Sequence, residues 1–384
     1  MHFAFLFPRF KILSGAERLI LKLAGTLVVK GHGITILCHQ FDESCRPILL
    51  PGVNLKVSGI KLDFFRNRYL NAAFDYFRSS SLARMLQENV DAACCFGPAL
   101  AASPVLIGRG KFPVFYFCYE PPRFLYTDRT TIQESLSIPR FLTDPLFALY
   151  RNRDRRYVRN VDGVLSNSHF GAVQIQELYG RKANVITHGI DPYQRSERRK
   201  ELRQRLGFTD SNIVVLTVNY LHPRKRIDLF LQTVAAAQAE NLSIRGLVVG
   251  EGPEKERLAR HPDAGTSVFA GFVPEHELLH YYQAADIYLH TGRLETFGLS
   301  VIEASGNSLP VVSVNEGGPR ETVLDHQTGF LTDANAGSLT KAILSLSKDA
   351  GMREKFGKTG QENVRKKYTW EQGAQDFLDA FRKT

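Results

Sequence analysis

Two carboxylates eight residues apart, Glu295 and Glu303, flank a predicted strand–loop–helix turn. Residues 287–290 have the apolar pattern of a buried strand, residues 291–296 are loop-like, and the apolar spacing after Gly298 predicts a helix. One carboxylate is then on the loop and the other on the second helical turn, so both can face one cleft. Paired acceptors on rigid backbone suit the vicinal hydroxyls of a ribose or a hexose. These residues alone are equally consistent with a first-turn helix charge and a solvated carboxylate.

The backbone between these carboxylates is suited to an anion. The N–H groups of Phe297, Gly298 and Leu299 are predicted to lie at the start of the helix, where they lack helical carbonyl partners. The helix dipole favours negative charge there by ~0.3–1 kcal/mol per interaction. The turn is therefore a candidate site for an anion such as a phosphate.

Three consecutive cations, Arg224, Lys225 and Arg226, lie between a predicted strand at 213–219 and a predicted helix at 227–240. Arginine can bind phosphate oxygens in pairs and lysine acts as a point charge, so the cluster suits a diphosphate. A solvated basic turn is the alternative. The position at the carboxyl end of a strand, like that of the Glu295 loop, favours the diphosphate.

Glycines mark three further turns that follow predicted strands. Gly15 precedes the first helix, while Gly250 with Gly252 and Gly317 with Gly318 follow strands in the second half of the chain. Glycine lets backbone approach a ligand closely, and a helix N-terminus after it favours phosphate. Each turn is also consistent with an ordinary connection between a strand and a helix.

Apolar strands and amphipathic helices alternate twice along the chain, which predicts an α/β protein with two parallel, doubly wound sheets. The first domain is predicted at residues 1–194 and the second at residues 212–366. Residues 195–211 are rich in charge and poor in apolar side chains, as expected of a linker or of a linker with a short solvated helix. Residues 367–384 include an amphipathic helix that we expect to cross back to the first domain. Two Rossmann-like halves bind best in the crevice between them, at the carboxyl ends of their strands.

The 384-residue chain has a formal net charge of +10, concentrated in its first half. Residues 1–194 carry 24 Lys and Arg against 15 Asp and Glu, a net charge of +9. We therefore expect this half to face something anionic. A membrane surface, a lipid diphosphate and a nucleic acid all qualify.

Cysteine usage and hydropathy favour a cytoplasmic protein. The five cysteines are odd in number and have no Cys-x-x-Cys spacing, which argues for reduced thiols and against a zinc site. No apolar run reaches the ~18–20 residues that a spanning helix needs. Residues 1–8 have the pattern of a first strand and lack the charged region and cleavage site of a signal peptide. We expect a cytoplasmic location, with peripheral contact at the inner face of the membrane as an open alternative.

The chain resembles the family-4 retaining glycosyltransferases of the GT-B superfamily over nearly its whole length. The resemblance is most specific between residues 269 and 329. It is carried by matching residues in the family's order and spacing: Gly15-Ala16-Glu17, Lys225, Gly250-Glu251-Gly252-Pro253, Ala285-Asp286, Glu295-x7-Glu303, Gly317-Gly318 and Gly329-Phe330-Leu331. In the first half, residues 118–126 resemble a Pro-Pro-Arg loop found in a bacterial and archaeal subset.

The resemblance implies a GT-B fold, in which two Rossmann-like domains face each other across a cleft. The acceptor would be on the N-terminal domain and a UDP- or GDP-sugar donor on the C-terminal one. Glu303 is assigned to the ribose hydroxyls and Glu295 to the transferred sugar. The amides of residues 297–299 would meet sugar hydroxyls and phosphate.

The resemblance also implies that cations take the place of a metal at the leaving group. Lys225, with Arg224 or Arg226, would neutralise the diphosphate, and Gly15 would lend an amide from across the cleft. The glycines of residues 250–253 would border the nucleotide. Neither a metal nor another cofactor is implied.

Two positions depart from the family pattern. The family usually has an arginine five residues before the lysine, where this chain has Tyr220, and Arg224 would compensate from the neighbouring position. Many members also have a histidine at the end of an N-domain strand, in contact with the sugar. Tyr119 occupies that place here, with Glu120 beside it. Tyr119 is therefore predicted to act on the sugar side, with core packing as the alternative.

An aromatic stretch followed by five arginines occupies residues 123–160. It includes Phe124, Leu125, Tyr126, Phe141, Leu142, Phe147 and Tyr150, and then Arg151, Arg153, Arg155, Arg156 and Arg159. Such a segment could lie on an anionic membrane or hold a lipid-linked acceptor. The alternative is a lid and a surface helix whose aromatic residues pack inward and whose arginines are solvated.

Three functions are compatible with these features. The first is a retaining hexosyltransferase, of mannosyl or glucosyl type, that acts on a glycan or lipid-linked acceptor. The second is a GT-B sugar-nucleotide epimerase, which would need a general base that the sequence does not identify. The third is a non-catalytic binding module. Nucleic acid is not expected as a partner, because no recognised nucleic-acid module is present.

Overall fold

The computed structural model describes residues 1–11, 15–60, 82–86, 89–97, 112–126, 140–191 and 197–383. The chain forms two compact units, of which the first contains Met1–Gly189 and Trp370–Thr384 and the second contains Ile190–Thr369. Each unit is built on its own parallel sheet.

The first unit has a seven-stranded parallel sheet in the order β5-β3-β1-β6-β7-β8-β9, and β2 pairs with β4 beside it. Its strands are β1 His2–Leu6, β2 Arg9–Phe10, β3 Gly33–Cys38, β4 Gln40–Phe41, β5 Val53–Val57, β6 Ala92–Phe96, β7 Val114–Cys118, β8 Gly163–Ser166 and β9 Asn184–Val185. The central strands β6 and β7 are buried at every position, because helices cover both faces of such a sheet.

The helices described in the first unit are α1 Gly15–Val29, α2 Arg123–Tyr126, α3 Arg140–Asn160, α4 His169–Tyr179, the 3-10 helix Glu43–Ile48 and the C-terminal helix Trp370–Arg382. Phe377 of the C-terminal helix packs edge to face on Phe3 and Phe5 of β1, with ring centroids 5.3 and 5.5 Å apart. The last helix is therefore part of the core of the first unit. All five cysteines are buried in this unit and form no disulfide.

The second unit has a six-stranded parallel sheet in the order β12-β11-β10-β13-β14-β15. Its strands are β10 Ile213–Val218, β11 Ile244–Val249, β12 Ser267–Gly271, β13 Ile287–His290, β14 Val311–Val314 and β15 Gly329–Thr332. Its helices are α5 Arg199–Arg205, α6 Ile227–Glu240, α7 Lys255–Ala259, α8 Glu275–Ala284, α9 Leu299–Gly306, α10 Pro319–Thr322, α11 Ala336–Lys348 and α12 Ala350–Lys367, with 3-10 helices at Pro223–Lys225 and Pro262–Thr266. The predicted fold class, two doubly wound parallel α/β sheets, is confirmed.

The strand order of the second sheet reverses between β10 and β13, which are neighbours. From β10 the chain winds outward to β11 and β12, and from β13 it winds the other way to β14 and β15. Ligands of open α/β sheets bind outside the carboxyl ends of the strands at such a switch point. The loops after β10 and β13 therefore mark the most favourable position for a ligand in this unit.

Part of the segment predicted as a linker is helix α5, which is attached to the second sheet. Arg203 is 3% exposed and donates to Asp286 Oδ2 at 3.1 Å, while Arg199 donates to Asp286 Oδ1 at 2.7 Å. The same Asp286 Oδ2 accepts from the backbone N–H of Val214 at 2.8 Å. Asp286 thus joins α5 to the starts of β10 and β13.

Candidate functional site

The carboxyl ends of β10, β13 and β14 bring three loops together in the second unit. The N–H of Arg293, after β13, donates to the carbonyl of Arg224, after β10, at 2.8 Å. Thr291 Oγ1 donates to the carbonyl of Lys225 at 2.8 Å. The basic loop and the Glu295 loop, which are about 70 residues apart in sequence, are thus fixed to each other by their backbones.

Lys225 and Glu295 form an ion pair at the centre of this arrangement. Lys225 Nζ lies 2.5 Å from Glu295 Oε1, and the two side chains are only 14% and 17% exposed. Burial by itself raises the pKa of Glu295, but the Lys225 ammonium and the neighbouring His290 and Arg224 bring the net pKa below its ordinary value. Glu295 is therefore an ionised, largely buried carboxylate at neutral pH.

His290, the last residue of β13, lies beside this pair and was not among the predicted site residues. Its side chain is fully buried, and neither ring nitrogen has a hydrogen-bond partner within the described part of the chain. A Cβ on Gly292 would lie 2.9 Å from His290 Nε2, so the loop passes directly over the ring. Burial lowers the pKa of His290 to about 4, and the imidazole is neutral near pH 7. Its position at the carboxyl end of a switch-point strand is the signal that could have identified it.

The flanking arginines of the basic loop have different surroundings. Arg226 pairs with Glu316 at 3.2 Å, in a contact that is 26% and 32% exposed. Arg226 also has a backbone φ of +47°, which is uncommon for a residue other than glycine. The Arg224 guanidinium is mostly buried, which lowers its pKa, while the charge of Glu295 opposes that shift. All three predicted cations thus lie near carboxylates from neighbouring strand ends.

Glu303, on α9, is held by a tyrosine of α8. The hydroxyl of Tyr282 donates to Glu303 Oε2 at 2.7 Å, and Tyr282 is 2% exposed. Burial raises the pKa of Tyr288 on β13, and the charges of Glu303 and Glu295 raise it further, because both carboxylates lie near this strand. The buried hydroxyl of Tyr282 therefore fixes the position of the Glu303 carboxylate.

The turn between the two carboxylates has the geometry of a helix start. Gly298 has a φ of +83° and precedes Leu299, the first residue of α9. Amides in the first turn of a helix lack helical carbonyl partners, so this end of α9 is electrostatically suited to an anion. Phe297 is 7% exposed and packs against Tyr368 with ring centroids 5.9 Å apart, so its side chain anchors the turn.

Gly317 and Gly318 allow the loop after β14 to pack on the Glu295 loop. A Cβ on Gly317 would lie 2.4 Å from the carbonyl oxygen of Glu295, and a Cβ on Gly318 would lie 2.2 Å from that of Thr296. The N–H of Gly318 donates to the carbonyl of Glu295 at 2.7 Å. Glycine is needed at both positions because backbone, and not a side chain, occupies the space.

Gly250 and Gly252 have a similar role after β11. A Cβ on Gly250 would lie 1.9 Å from the carbonyl oxygen of Asn219, and a Cβ on Gly252 would lie 2.3 Å from that of Leu221. This packing holds the loop that leads to Lys225. Contact of these glycines with a nucleotide stays a prediction.

The predicted residues of the first unit lie together at the start of α1. Gly15 is the first residue of α1, and the Tyr119 hydroxyl donates to the carbonyl of Ala16 at 3.3 Å. Tyr119 also packs on Phe117 with ring centroids 4.9 Å apart, and burial raises its pKa. His188 Nε2 lies 3.5 Å from the carbonyl oxygen of Gly15. Tyr119 thus has core contacts, and its predicted role toward a sugar stays a prediction.

The aromatic–basic segment 123–160 is partly described, as helices α2 and α3. Asp154 of α3 is buried and accepts from the hydroxyls of Tyr126 and Tyr179 at 2.7 and 2.8 Å. On the outer side, Asn152, Arg155, Arg156, Arg159 and Asn160 line a cavity of about 550 Å³. Residues 127–139 and the side chains of Phe124, Phe141 and Leu142 lie outside the described residues.

Two features are absent from the described residues. No helix there is long and apolar enough to span a bilayer. In the same ranges, no group of three or more His, Cys, Asp or Glu side chains is placed to hold a metal ion.

Family models match the chain in two consecutive stretches. Residues 13–194 match the model described as Glycosyltransferase Family 4, and residues 198–363 match the model described as Glycosyl transferases group 1. The boundary between the matches falls close to the boundary between the two units. The predicted family resemblance is confirmed over nearly the whole chain.

Curated relatives match part of the chain. A GDP-mannose-dependent alpha-mannosyltransferase of Mycobacterium tuberculosis is 34% identical over 232 residues, which is 60% of this chain and 58% of the relative. A D-inositol 3-phosphate glycosyltransferase of Rhodococcus erythropolis is 28% identical over 252 residues, which is 60% of this chain and 55% of the relative. The chain thus spans little more than half the length of these relatives.

Solved structures resemble the chain over its full length. Alr3699/HepE of Anabaena, in complex with UDP and glucose, superposes with a TM-score of 0.77 at 18% identity, with both chains fully covered. WaaG, a glycosyltransferase involved in lipopolysaccharide biosynthesis, superposes with a TM-score of 0.71 at 15% identity, covering 97% of this chain and 98% of WaaG. At these identities the likeness shows the fold.

Proposed function

The chain belongs to the family-4 glycosyltransferases of the GT-B fold, and on that premise we propose that it is a retaining hexosyltransferase. It moves a hexose from a nucleoside diphosphate sugar to a glycan or lipid-linked acceptor. The observation that carries this proposal is the grouping of Lys225, Glu295 and Glu303 at the switch point of the second sheet.

The donor is assigned to the second unit, with its parts divided among the three loops. Glu303, oriented by Tyr282, accepts from the ribose hydroxyls. Lys225 and its neighbouring arginines bind the diphosphate, and Glu295 accepts from hydroxyls of the hexose. The first turn of α9 faces phosphate and sugar oxygens, where its dipole favours negative charge.

The reaction breaks the bond between the anomeric carbon and the diphosphate oxygen, and the electron pair leaves with the diphosphate. The acceptor hydroxyl bonds to the same face of the resulting oxocarbenium-like carbon, so the configuration is retained. A phosphate oxygen of the leaving group takes the acceptor proton. The protein mainly stabilises the departing charge, and loss of one preorganised donor for such charge typically costs ~10²–10³ in rate.

Two donors are the first to test. One relative is named as GDP-mannose-dependent, and a structural neighbour was solved with UDP-glucose. The basic balance of residues 1–194 supports an acceptor that carries phosphate, and the named acceptor of another relative is an inositol phosphate. The arginines of α3 support peripheral contact with an anionic membrane, where a lipid-linked acceptor would be found.

The proposal is tested by transfer from UDP-glucose or GDP-mannose to oligosaccharides or lipid extracts, with and without chelator, because we propose that no metal takes part. We expect Lys225→Ala and Glu295→Ala to lower kcat/KM by ~10²–10³, because each loses a contact to the reacting donor. Lys255→Ala is the matched control, since Lys255 forms an exposed pair with Glu251 in the same unit. Unchanged turnover in both site variants would refute the proposed roles, and inversion at the anomeric carbon would refute retention.

A further inference from the structure

The Lys225–Glu295 pair raises a question that the proposed function leaves open. The ammonium that is to bind the diphosphate contacts the Glu295 carboxylate at 2.5 Å. An incoming diphosphate therefore competes with Glu295 for Lys225. Resting on the proposed function, we propose that Glu295 makes the site select the intact sugar nucleotide over the nucleoside diphosphate product.

The backbones of both partners are held in place by neighbouring loops. The Glu295 carbonyl accepts from the N–H of Gly318, and Gly317 packs against the same peptide. The Lys225 carbonyl accepts from Thr291 Oγ1. Because both backbones are fixed, the carboxylate stays in place when the lysine turns to a diphosphate.

Other groups around Glu295 do not replace the lysine. His290 of β13 lies beside the pair but is neutral near pH 7, and Tyr288 of the same strand carries no charge there, so neither supplies a second cation. The charge of Arg224 also lowers the pKa of Glu295, but less than the charge of Lys225 does. A buried carboxylate that loses its main partner must gain a proton or new hydrogen-bond donors.

The hydroxyls of a hexose supply such donors, whereas a nucleoside diphosphate has none at that position. The diphosphate of the sugar nucleotide can therefore bind Lys225 while the hydroxyls of its hexose donate to Glu295. After transfer the hexose leaves with the acceptor. Glu295 then pairs with Lys225 again, and re-forming this ion pair favours release of the nucleoside diphosphate.

The neighbouring pair of Arg226 and Glu316 provides an internal control. It is 26% and 32% exposed, against 14% and 17% for Lys225 and Glu295. Water can solvate Glu316 when Arg226 turns to a ligand, so this pair does not distinguish the two ligands. Replacing Glu316 removes the same charge from the same edge of the sheet.

The test is calorimetric binding of UDP against UDP-glucose and of GDP against GDP-mannose to wild type, Glu295→Gln and Glu316→Gln. We expect Glu295→Gln to bind the nucleoside diphosphate about tenfold more tightly and the sugar nucleotide no more tightly, because one charge-assisted contact no longer has to be broken. Glu316→Gln should shift both ligands alike. An unchanged affinity ratio in Glu295→Gln, with binding intact, would overturn the inference alone. Failure of every ligand to bind the wild type would overturn the proposed function as well.

A second measurement uses only the wild type. The methyl ester of the same nucleoside diphosphate has the charge of the sugar nucleotide and its ribose but lacks the hexose hydroxyls. We expect Glu295 to take up a proton when the methyl ester binds, whereas the sugar nucleotide binds without proton uptake. Calorimetry in buffers of different ionisation enthalpy measures this uptake. Equal proton exchange for the two ligands would contradict the competition.

Discussion

Tyr282 fixes the carboxylate that we assign to the ribose. Its hydroxyl donates to Glu303 Oε2 at 2.7 Å from a fully packed position on α8. A hydrogen bond to a charged group is stronger than one between neutral groups, and a buried donor has few alternative partners. Tyr282 is therefore a positioning residue for Glu303.

Replacing Tyr282 with phenylalanine tests this role. We expect Tyr282→Phe to weaken binding of a ribonucleoside diphosphate about tenfold, because Glu303 is no longer held toward the 2′ and 3′ hydroxyls. Binding of the 2′,3′-dideoxy analogue should hardly change, which a merely structural role would not explain. Tyr281→Phe is the matched control, since its buried hydroxyl contacts Arg205 and not Glu303. An equal loss for both nucleotides would contradict the assignment.

At the level of single residues, the sequence identified groups that lie in or just after short loops at the carboxyl ends of predicted strands. Glu295 and Glu303 lie on one strand–loop–helix turn, and Lys225 lies in the loop after the neighbouring strand. Tyr282 and His290 were missed for a physical reason. The contact of Tyr282 with Glu303 depends on how α8 packs beside α9, and the burial of His290 depends on the loop that covers it. The functional roles of the predicted residues stay predictions.

Among the elements, α3 combines a buried acid with an exposed basic side. Asp154 faces inward to Tyr126 and Tyr179, and burial raises its pKa to about 6 despite these hydrogen bonds. This contact fixes the rotation of the helix. As a result Arg156 and Arg159 point to the outer side, where they line a polar cavity.

The outer side of α3 gives a prediction about membrane contact. We expect the wild type to bind phosphatidylglycerol vesicles more strongly than phosphatidylcholine vesicles, with the difference weakened by salt. Changing Arg155, Arg156 and Arg159 to alanine should lower the affinity tenfold or more, since each basic residue near an anionic surface contributes about 1 kcal/mol. Changing Lys255, Arg257 and Arg260 to alanine in the second unit removes the same charge and should have little effect. Vesicle binding is measured by sedimentation. An equal loss of affinity in the two triple variants would contradict a specific role of α3.

The sequence predicted the elements of both sheets where the strands are central. Strands such as β6 and β7 are buried on both faces and therefore appear as continuous apolar runs. The edge strand β5 was missed, because it has exposed positions among partly buried ones and lacks such a run. The attachment of helix α5 to the second sheet was not predicted, because its anchor, the contact of Arg203 with Asp286, joins residues 83 positions apart.

For the whole molecule, the alternation of strands and helices was sufficient to predict two doubly wound sheets. The family required a resemblance across many spaced residues, which the two family matches confirm. The donor base, the sugar and the acceptor could not be predicted in the same way. They depend on side chains of several loops that meet only in the folded chain.

The central claim is that the carboxyl edge of the second sheet binds the donor. The most direct test is a crystal structure of the chain with UDP-glucose or GDP-mannose, whichever binds in solution. We predict that the diphosphate contacts Lys225 and that the ribose hydroxyls contact Glu303, with Lys225 turned from Glu295 to the diphosphate and the hexose hydroxyls in contact with Glu295. A nucleotide bound at any place away from Lys225 and Glu303 would contradict the account.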